Sequence, residues 1–225
     1  MNNLLNKTII KSSAILLLGS GLFFGGCSST SSTSTDNSTT TTSSTTLSLS
    51  AAVTTLAGTA GSSGSADGTG TAATFNQPYD GTVDNGNLYV TEFGNHLIRK
   101  IVISSGVVTT FAGTGSRGSA DGTGTAASFY SPGGITSDGT NLFVADVGNH
   151  LIRKIVISSG VVTTIAGTGS TGSSDGTGTA ASFNFPFGIT NDGTNLFVVD
   201  AQNHLIRKIV ISSGVVTTFE IGRAH

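Results

Sequence analysis

Residues 95–110 read NHLIRKIVISSGVVTT, and the same 16 residues recur unchanged at 149–164 and 203–218. Inside the block two runs dominated by β-branched residues, LIRKIVI and VVTT, flank a Ser-Ser-Gly connection, which is hairpin length and hairpin chemistry. The dominance of β-branched residues in both runs disfavours a helical reading. One hairpin copied without change at a fixed interval marks a repeat architecture built from strands.

Working outward from the block, His96, His150 and His204 recur at one constant interval, and Pro78, Pro132 and Pro186 keep it too, as do the DGTGTA segments that begin at Asp67, Asp121 and Asp175. In the second copy four β-prone runs are visible: residues 134–137 (GITS), 142–146 (LFVAD), 151–157 (LIRKIVI) and 161–166 (VVTTIA). Asp138-Gly139-Thr140-Asn141 separates the first two with residues that tolerate positive φ or bond their own backbone. The expected fold is all-β, a propeller of four-stranded antiparallel blades with about three blades present, an incomplete ring.

Asn-His-Leu followed by Ile-Arg-Lys, and preceded by LYVTE, LFVAD or LFVVD, resembles the NHL repeat, and the resemblance covers residues 51–219. It implies a propeller, six-bladed in many members, and the pattern matches bacterial extracytoplasmic members closely. The interval from His96 to His150 exceeds a compact blade of about 40 to 45 residues. The surplus lies in the Gly-rich segment 112–129, expected to run from the outermost strand of one blade to the innermost strand of the next, its end pinned by Ala127 and Phe129. The DGTGTA segment offers one carboxylate, too few for the several oxygen ligands that calcium takes.

Ahead of the repeats, residues 14–24 (AILLLGSGLFF) form an apolar run of 11 after Lys7 and Lys11, short of the about 20 residues of a spanning helix. The pattern is that of a secretory signal, residues 1–26. Phe24-Gly25-Gly26-Cys27 resembles a bacterial lipoprotein lipobox, which implies lipidation of Cys27, the only cysteine. Residues 27–50 are expected to be anchor and disordered Ser/Thr-rich tether, with a typical span of about 25 Å for a flexible chain of that length. The expected location is the bacterial cell envelope, extracytoplasmic, at the outer membrane if the organism has one, with membrane contact through the lipid alone.

Three histidines suggest a zinc site with an open position. On the propeller reading they open the third strands of three different blades and need not converge, so each is expected to bond its own loop or a neighbouring strand, with Asp146 and Arg153 of the same blade as candidate partners. Glu92, Asp146 and Asp200 each precede an arginine by seven residues, Arg99, Arg153 and Arg207. A repeated acid and base in one blade reads as an ion pair. No metal and no cofactor is expected, and no residue is assigned a catalytic role.

Differences between near-identical copies carry more functional information than shared residues. They fall at Gln77, Tyr79, Asp80, Glu92 and Phe93 in the first copy, Ser131, Gly133, Gly134, Asp146 and Val147 in the second, and Phe185, Phe187, Gly188, Asp200 and Ala201 in the third. These positions share one propeller face with the Gly-rich connections. Tyr79, Asp80, Phe93, Arg117, Tyr130, Phe185 and Phe187 are the candidate ligand-binding residues. A rival reading has the aromatics packed beneath the long loops.

Charge sets the class of partner. With 10 basic against 12 acidic residues the formal net charge is −2, so no polyanion field and no nucleic-acid partner are expected. The function expected is an envelope-anchored binding or scaffolding module for a protein or glycan. The alternative is a metal-dependent lyase or lactonase of the propeller type, whose site would lie in blades outside this sequence. Residues 52–57 (AVTTLA) read as an outermost strand lacking its own blade, and 220–225 (EIGRAH) break the repeat and resemble translated adapter sequence. Both suggest an open portion of a longer gene.

Overall fold

The computed structural model describes residues 52–219. The signal segment, Cys27, the tether and the 220–225 tail lie outside the described residues.

Three antiparallel sheets follow one another along the chain. The first contains β1 (Gly68–Thr69), β2 (Pro78–Asp84), β3 (Asn87–Glu92), β4 (Leu97–Val102) and β5 (Val107–Ala112). The second contains β6 (Gly122–Thr123), β7 (Pro132–Ser137), β8 (Asn141–Asp146), β9 (Leu151–Val156) and β10 (Val161–Ala166). The third contains β11 (Gly176–Thr177), β12 (Pro186–Asn191), β13 (Asn195–Asp200), β14 (Leu205–Val210) and β15 (Val215–Thr218). Each sheet has the order of a propeller blade, β2 innermost and β5 outward in the first, with the short β1 beyond β5.

That fifth strand is an addition to the expected four. Gly68 pairs with Val108 and Thr69 with Val107, and the equivalents repeat in the other two blades. The Gly-rich connection is therefore more than a link between blades, because it covers the outer strand of the blade that it enters. It protects an edge that would otherwise present unpaired N–H and C=O groups. Gly70, Gly124 and Gly178, just after the short strands, all hold positive φ, a left-handed turn that glycine adopts without strain.

Blades pack face to face through side chains that recur by position. Tyr89, Ile98 and Ala112 of the first blade pack on Phe129, Ile135, Leu142, Val144 and Ile155 of the second. Phe143, Ala145, Ile152 and Ala166 of the second pack in the same way on Phe183, Ile189, Leu196, Val198 and Ile209 of the third. Strands that bury both faces cannot alternate apolar with polar residues, which explains the low content of charge.

The third blade's matching face has no blade upon it among the described residues. Val199, Ile206 and Phe219 are each 43% exposed there, whereas Ala145, Ile98 and Ile152 at equivalent positions are fully buried. On the first blade, Ala57 packs beside Ala73, Phe75, Leu88, Val90 and Ile101. Residues 52–57 form no strand, contrary to the sequence expectation, and Val53 is 97% exposed. An outermost strand needs the third strand of its own blade as a partner, and no described segment supplies one.

Candidate functional site

In each blade the repeated arginine builds a buried knot. Arg153 Nη1 donates to Asp146 Oδ2 at 2.9 Å and to the Ser128 carbonyl at 3.0 Å. Its Nη2 donates to Asp121 Oδ1 at 2.8 Å and to the Ala120 carbonyl at 3.0 Å. The guanidinium lies over the Phe129 ring at 5.2 Å, and Nε has no partner. Arg99 with Glu92 and Asp67, and Arg207 with Asp200 and Asp175, repeat the arrangement.

The acid of the DGTGTA segment is thus tied to the blade. Asp121 also accepts from Thr164 Oγ1 at 3.1 Å. Asp146 accepts from Arg153, from Asn149 and from the Tyr130 N–H. Burial pushes its carboxyl up to about 6, against the pull of those donors. It is ionised at neutral pH, as an ion pair requires.

The histidines do not bond the acid and arginine of their own blade. His96 Nδ1 accepts the Ser131 N–H at 3.0 Å, and His150 Nδ1 accepts the Phe185 N–H at 3.1 Å. Each is a latch from one blade to the next. Both histidines sit in the left-handed region of positive φ, and so do their partners Ser131 and Phe185. Two uncommon conformations are joined by one bond, which fixes the backbone just ahead of each inner strand.

An Nδ1 that accepts an N–H carries no proton. Burial lowers the pKa of His96, with the Arg117 charge adding to the effect, and burial likewise lowers that of His150, opposed by Asp200. Both imidazoles are neutral near pH 7. Among the described residues no three His, Cys, Asp or Glu side chains stand close enough together to hold a metal ion.

Copy-specific residues converge on this same face. Tyr79 of the first blade meets Phe187 of the third edge-on, their ring centroids 4.9 Å apart, and Phe93 stands 6.1 Å from Tyr79 and 6.2 Å from Phe187. Rings two blades apart touch because the intervening blade has Gly133 at the equivalent position. A Cβ on Gly133 would come within 2.8 Å of Val147 and 3.1 Å of the Phe187 carbonyl. The three rings, with Gln77 and Pro78, line a groove of about 280 Å³. Tyr79 remains 55% exposed.

A second cluster adjoins the first. Tyr130 lies edge-on to His96 at 5.7 Å and beneath the Arg117 guanidinium at 4.8 Å. Gly148 makes room for it, since a Cβ there would come within 2.5 Å of the ring. Tyr130 thus sits under a long connection, as the rival reading has it, whereas Tyr79 and Phe185 are exposed. Phe185 stands apart from the three-ring groove, edge-on to His150 at 4.9 Å.

Asp80 is committed to the backbone. Its Oδ1 accepts the Gly81 N–H at 2.8 Å, and its Oδ2 accepts the Ile135 N–H of the second blade at 3.0 Å. It pins two inner strands together. Thr91 performs a parallel task that sequence reasoning missed, donating to the Gly133 carbonyl at 2.7 Å.

No family model matches the chain. It is 39% identical over 89 residues to NHL repeat-containing protein 2 of Gallus gallus, covering 39% of this chain and 12% of that protein. It is 31% identical over 151 residues to the Bos taurus protein of the same name, covering 61% and 21%. The chain therefore spans about a fifth or less of the length of these curated relatives. Among solved structures, a protein of unknown function from Bacteroides thetaiotaomicron matches at a TM-score of 0.51 and 27% identity, covering 58% of this chain and 32% of that one. An auxiliary nutrient binding protein from Bacteroides ovatus matches at 0.50 and 25%, covering 60% and 35%. With the three antiparallel sheets, these similarities at modest identity support an NHL-repeat family and a β-propeller for the chain.

Proposed function

We propose that the chain is an envelope-anchored binding module that takes a protein or glycan on the face bearing Tyr79, Phe93 and Phe187. The observation that carries this reading is the convergence of copy-specific rings from the first and third blades on one open groove. Packing alone needs no such asymmetry, since the cores between blades use residues repeated by position. Tyr79 is exposed, with Phe93 and Phe187 half-buried behind it, and an exposed aromatic backed by other rings is an ordinary anchor of recognition. The neighbour described as an auxiliary nutrient binding protein supports a binding role.

Anchoring rests on the lipobox-like FGGC and the Ser/Thr-rich tether, which would hold the blades just off a membrane. Metabolic labelling with an alkyne fatty acid, compared between the natural chain and Cys27→Ser, tests this part. Loss of label in the variant supports it, and equal label overturns it.

The binding role is tested by calorimetry against arrayed envelope proteins and polysaccharides, using the natural chain, Tyr79→Ala and Phe187→Ala. Loss of an aromatic anchor costs on the order of 2 kcal/mol, or roughly 30-fold in Kd. Unchanged affinity in both variants, with the fold intact by circular dichroism, would overturn the reading.

A further inference from the structure

Arg117 is the exposed arginine of the described residues, and it belongs to one copy alone, with Ser63 and Thr171 at the equivalent positions. Arg99, Arg153 and Arg207 are fully buried and spent on carboxylates. Arg117 has no acid within ion-pair distance among the described residues, and its contact is the face of Tyr130. Stacking holds the guanidinium plane while leaving its N–H fork open, the arrangement that suits bidentate capture of a carboxylate. His96 connects this cation to the groove, since it follows Phe93 by three residues and lies edge-on to the Tyr130 ring on which Arg117 stacks.

We propose that the Tyr79–Phe93–Phe187 groove and Arg117 together form a site for an acidic oligosaccharide, one sugar stacked on the exposed Tyr79 ring and a uronate carboxylate of the same chain held by Arg117. This rests on the binding reading above and narrows it to a ligand class. The groove is shallow and Tyr79 is half exposed, which suits the flat C–H face of a pyranose better than a side chain that needs enclosure. An extended peptide would favour an open sheet edge. Here each outer edge is covered by a short fifth strand.

Asp67, Asp121 and Asp175 are paired with arginines, whereas Arg117 has no acidic partner among the described residues and is left for a ligand's carboxylate.

Isothermal titration of the full chain with a trigalacturonate and with neutral maltotriose tests the proposal, alongside Arg117→Gln and Tyr79→Ala. The acidic trisaccharide should bind more tightly. Arg117→Gln should weaken it roughly tenfold or more, the effect of removing a charge-assisted hydrogen bond, and leave maltotriose unchanged. Tyr79→Ala should weaken both. Equal affinity for the two sugars, no binding of trigalacturonate, or indifference to Arg117→Gln would overturn the acidic-saccharide site. If Tyr79→Ala abolishes binding of some other ligand while Arg117→Gln does nothing, the binding role stands and the proposal fails. Arg117-dependent binding of an acidic peptide in place of the sugar also overturns it, in favour of a protein partner.

Discussion

The tripeptide Leu-Ile-Arg occurs three times, and its isoleucine meets two kinds of surroundings. Ile98 and Ile152 are fully buried between blades, whereas Ile206 is 43% exposed on the open face of the third. Truncating each to alanine therefore removes the same atoms from unequal environments. In a packed interior the loss combines transfer and cavity terms and amounts to about 2 to 5 kcal/mol. At Ile206 solvent already reaches the side chain and no closed cavity forms, so the cost should be about 1 kcal/mol.

Urea unfolding followed by far-ultraviolet circular dichroism resolves such a gap. With a slope on the order of 1 to 3 kcal/mol per molar, a difference of about 2 kcal/mol moves the midpoint by roughly 1 M. Hydrogen exchange would place the loosened amides in the blade that carries the substitution. The expected order is a large loss for Ile98→Ala and Ile152→Ala and a small one for Ile206→Ala. Equal losses at all three positions, with unchanged slopes, would refute blade-on-blade burial as the source of the difference.

Three further outcomes follow from the same geometry. Arg153→Ala leaves Asp146 buried without its cation and should cost about 3 to 5 kcal/mol, read as the shift in urea midpoint. The His96 and His150 imidazoles should titrate below the ordinary value of 6.5 in an NMR pH series, and Arg117→Ala should move His96 upward while leaving His150 in place. Because both folded pKa values are depressed, their contribution to stability is complete above pH 6.5 and declines as pH falls toward them. Asp146 works in the opposite sense, its contribution declining as pH rises from 3.8 through about 6, so residue-specific titration is the proper readout and a bulk stability curve is not. Gly133→Ala should cost about 1 to 3 kcal/mol by overpacking against Val147 and should separate the Tyr79 and Phe187 rings, visible as loss of their mutual ring-current shifts.

Much of this architecture is written locally. The NHLIRKIVISSGVVTT block carries its own hairpin, and its exact recurrence at a constant interval identifies blades without any tertiary information. What escaped sequence reading is non-local. The short strand at Gly122–Thr123 is two residues long, too brief to show a period, and it pairs with Val161 and Val162, far along the chain. Arg153 could be matched to Asp146 by proximity in sequence, but its second acid, Asp121, lies 32 residues away across the Gly-rich connection. His96 and His150 find their partners in N–H groups 35 residues ahead, in the next blade, a contact with no local signal in the sequence.

The candidate site was legible in part. The positions where copies differ include Tyr79, Phe93 and Phe187, and the structure brings these three together. The decisive residue for their contact is the one with no side chain, Gly133, whose role is visible only once the blades are placed side by side. Asp80 was the reverse case. Its singularity among the copies gives no hint of the bond that its carboxylate accepts from the Ile135 N–H of the adjoining blade.

The central claim is that the asymmetric aromatic face receives a ligand. Its most direct test is a set of aromatic-ring NMR spectra recorded as trigalacturonate and the best-bound array component are added in turn. The expected result is that ring signals of Tyr79, Phe93 and Phe187 shift in a saturable manner while Phe197 and Phe219, on the open face of the third blade, stay in place. Shifts confined to Phe197 and Phe219, or no saturable shift at the three-ring groove with any bound ligand, would contradict it.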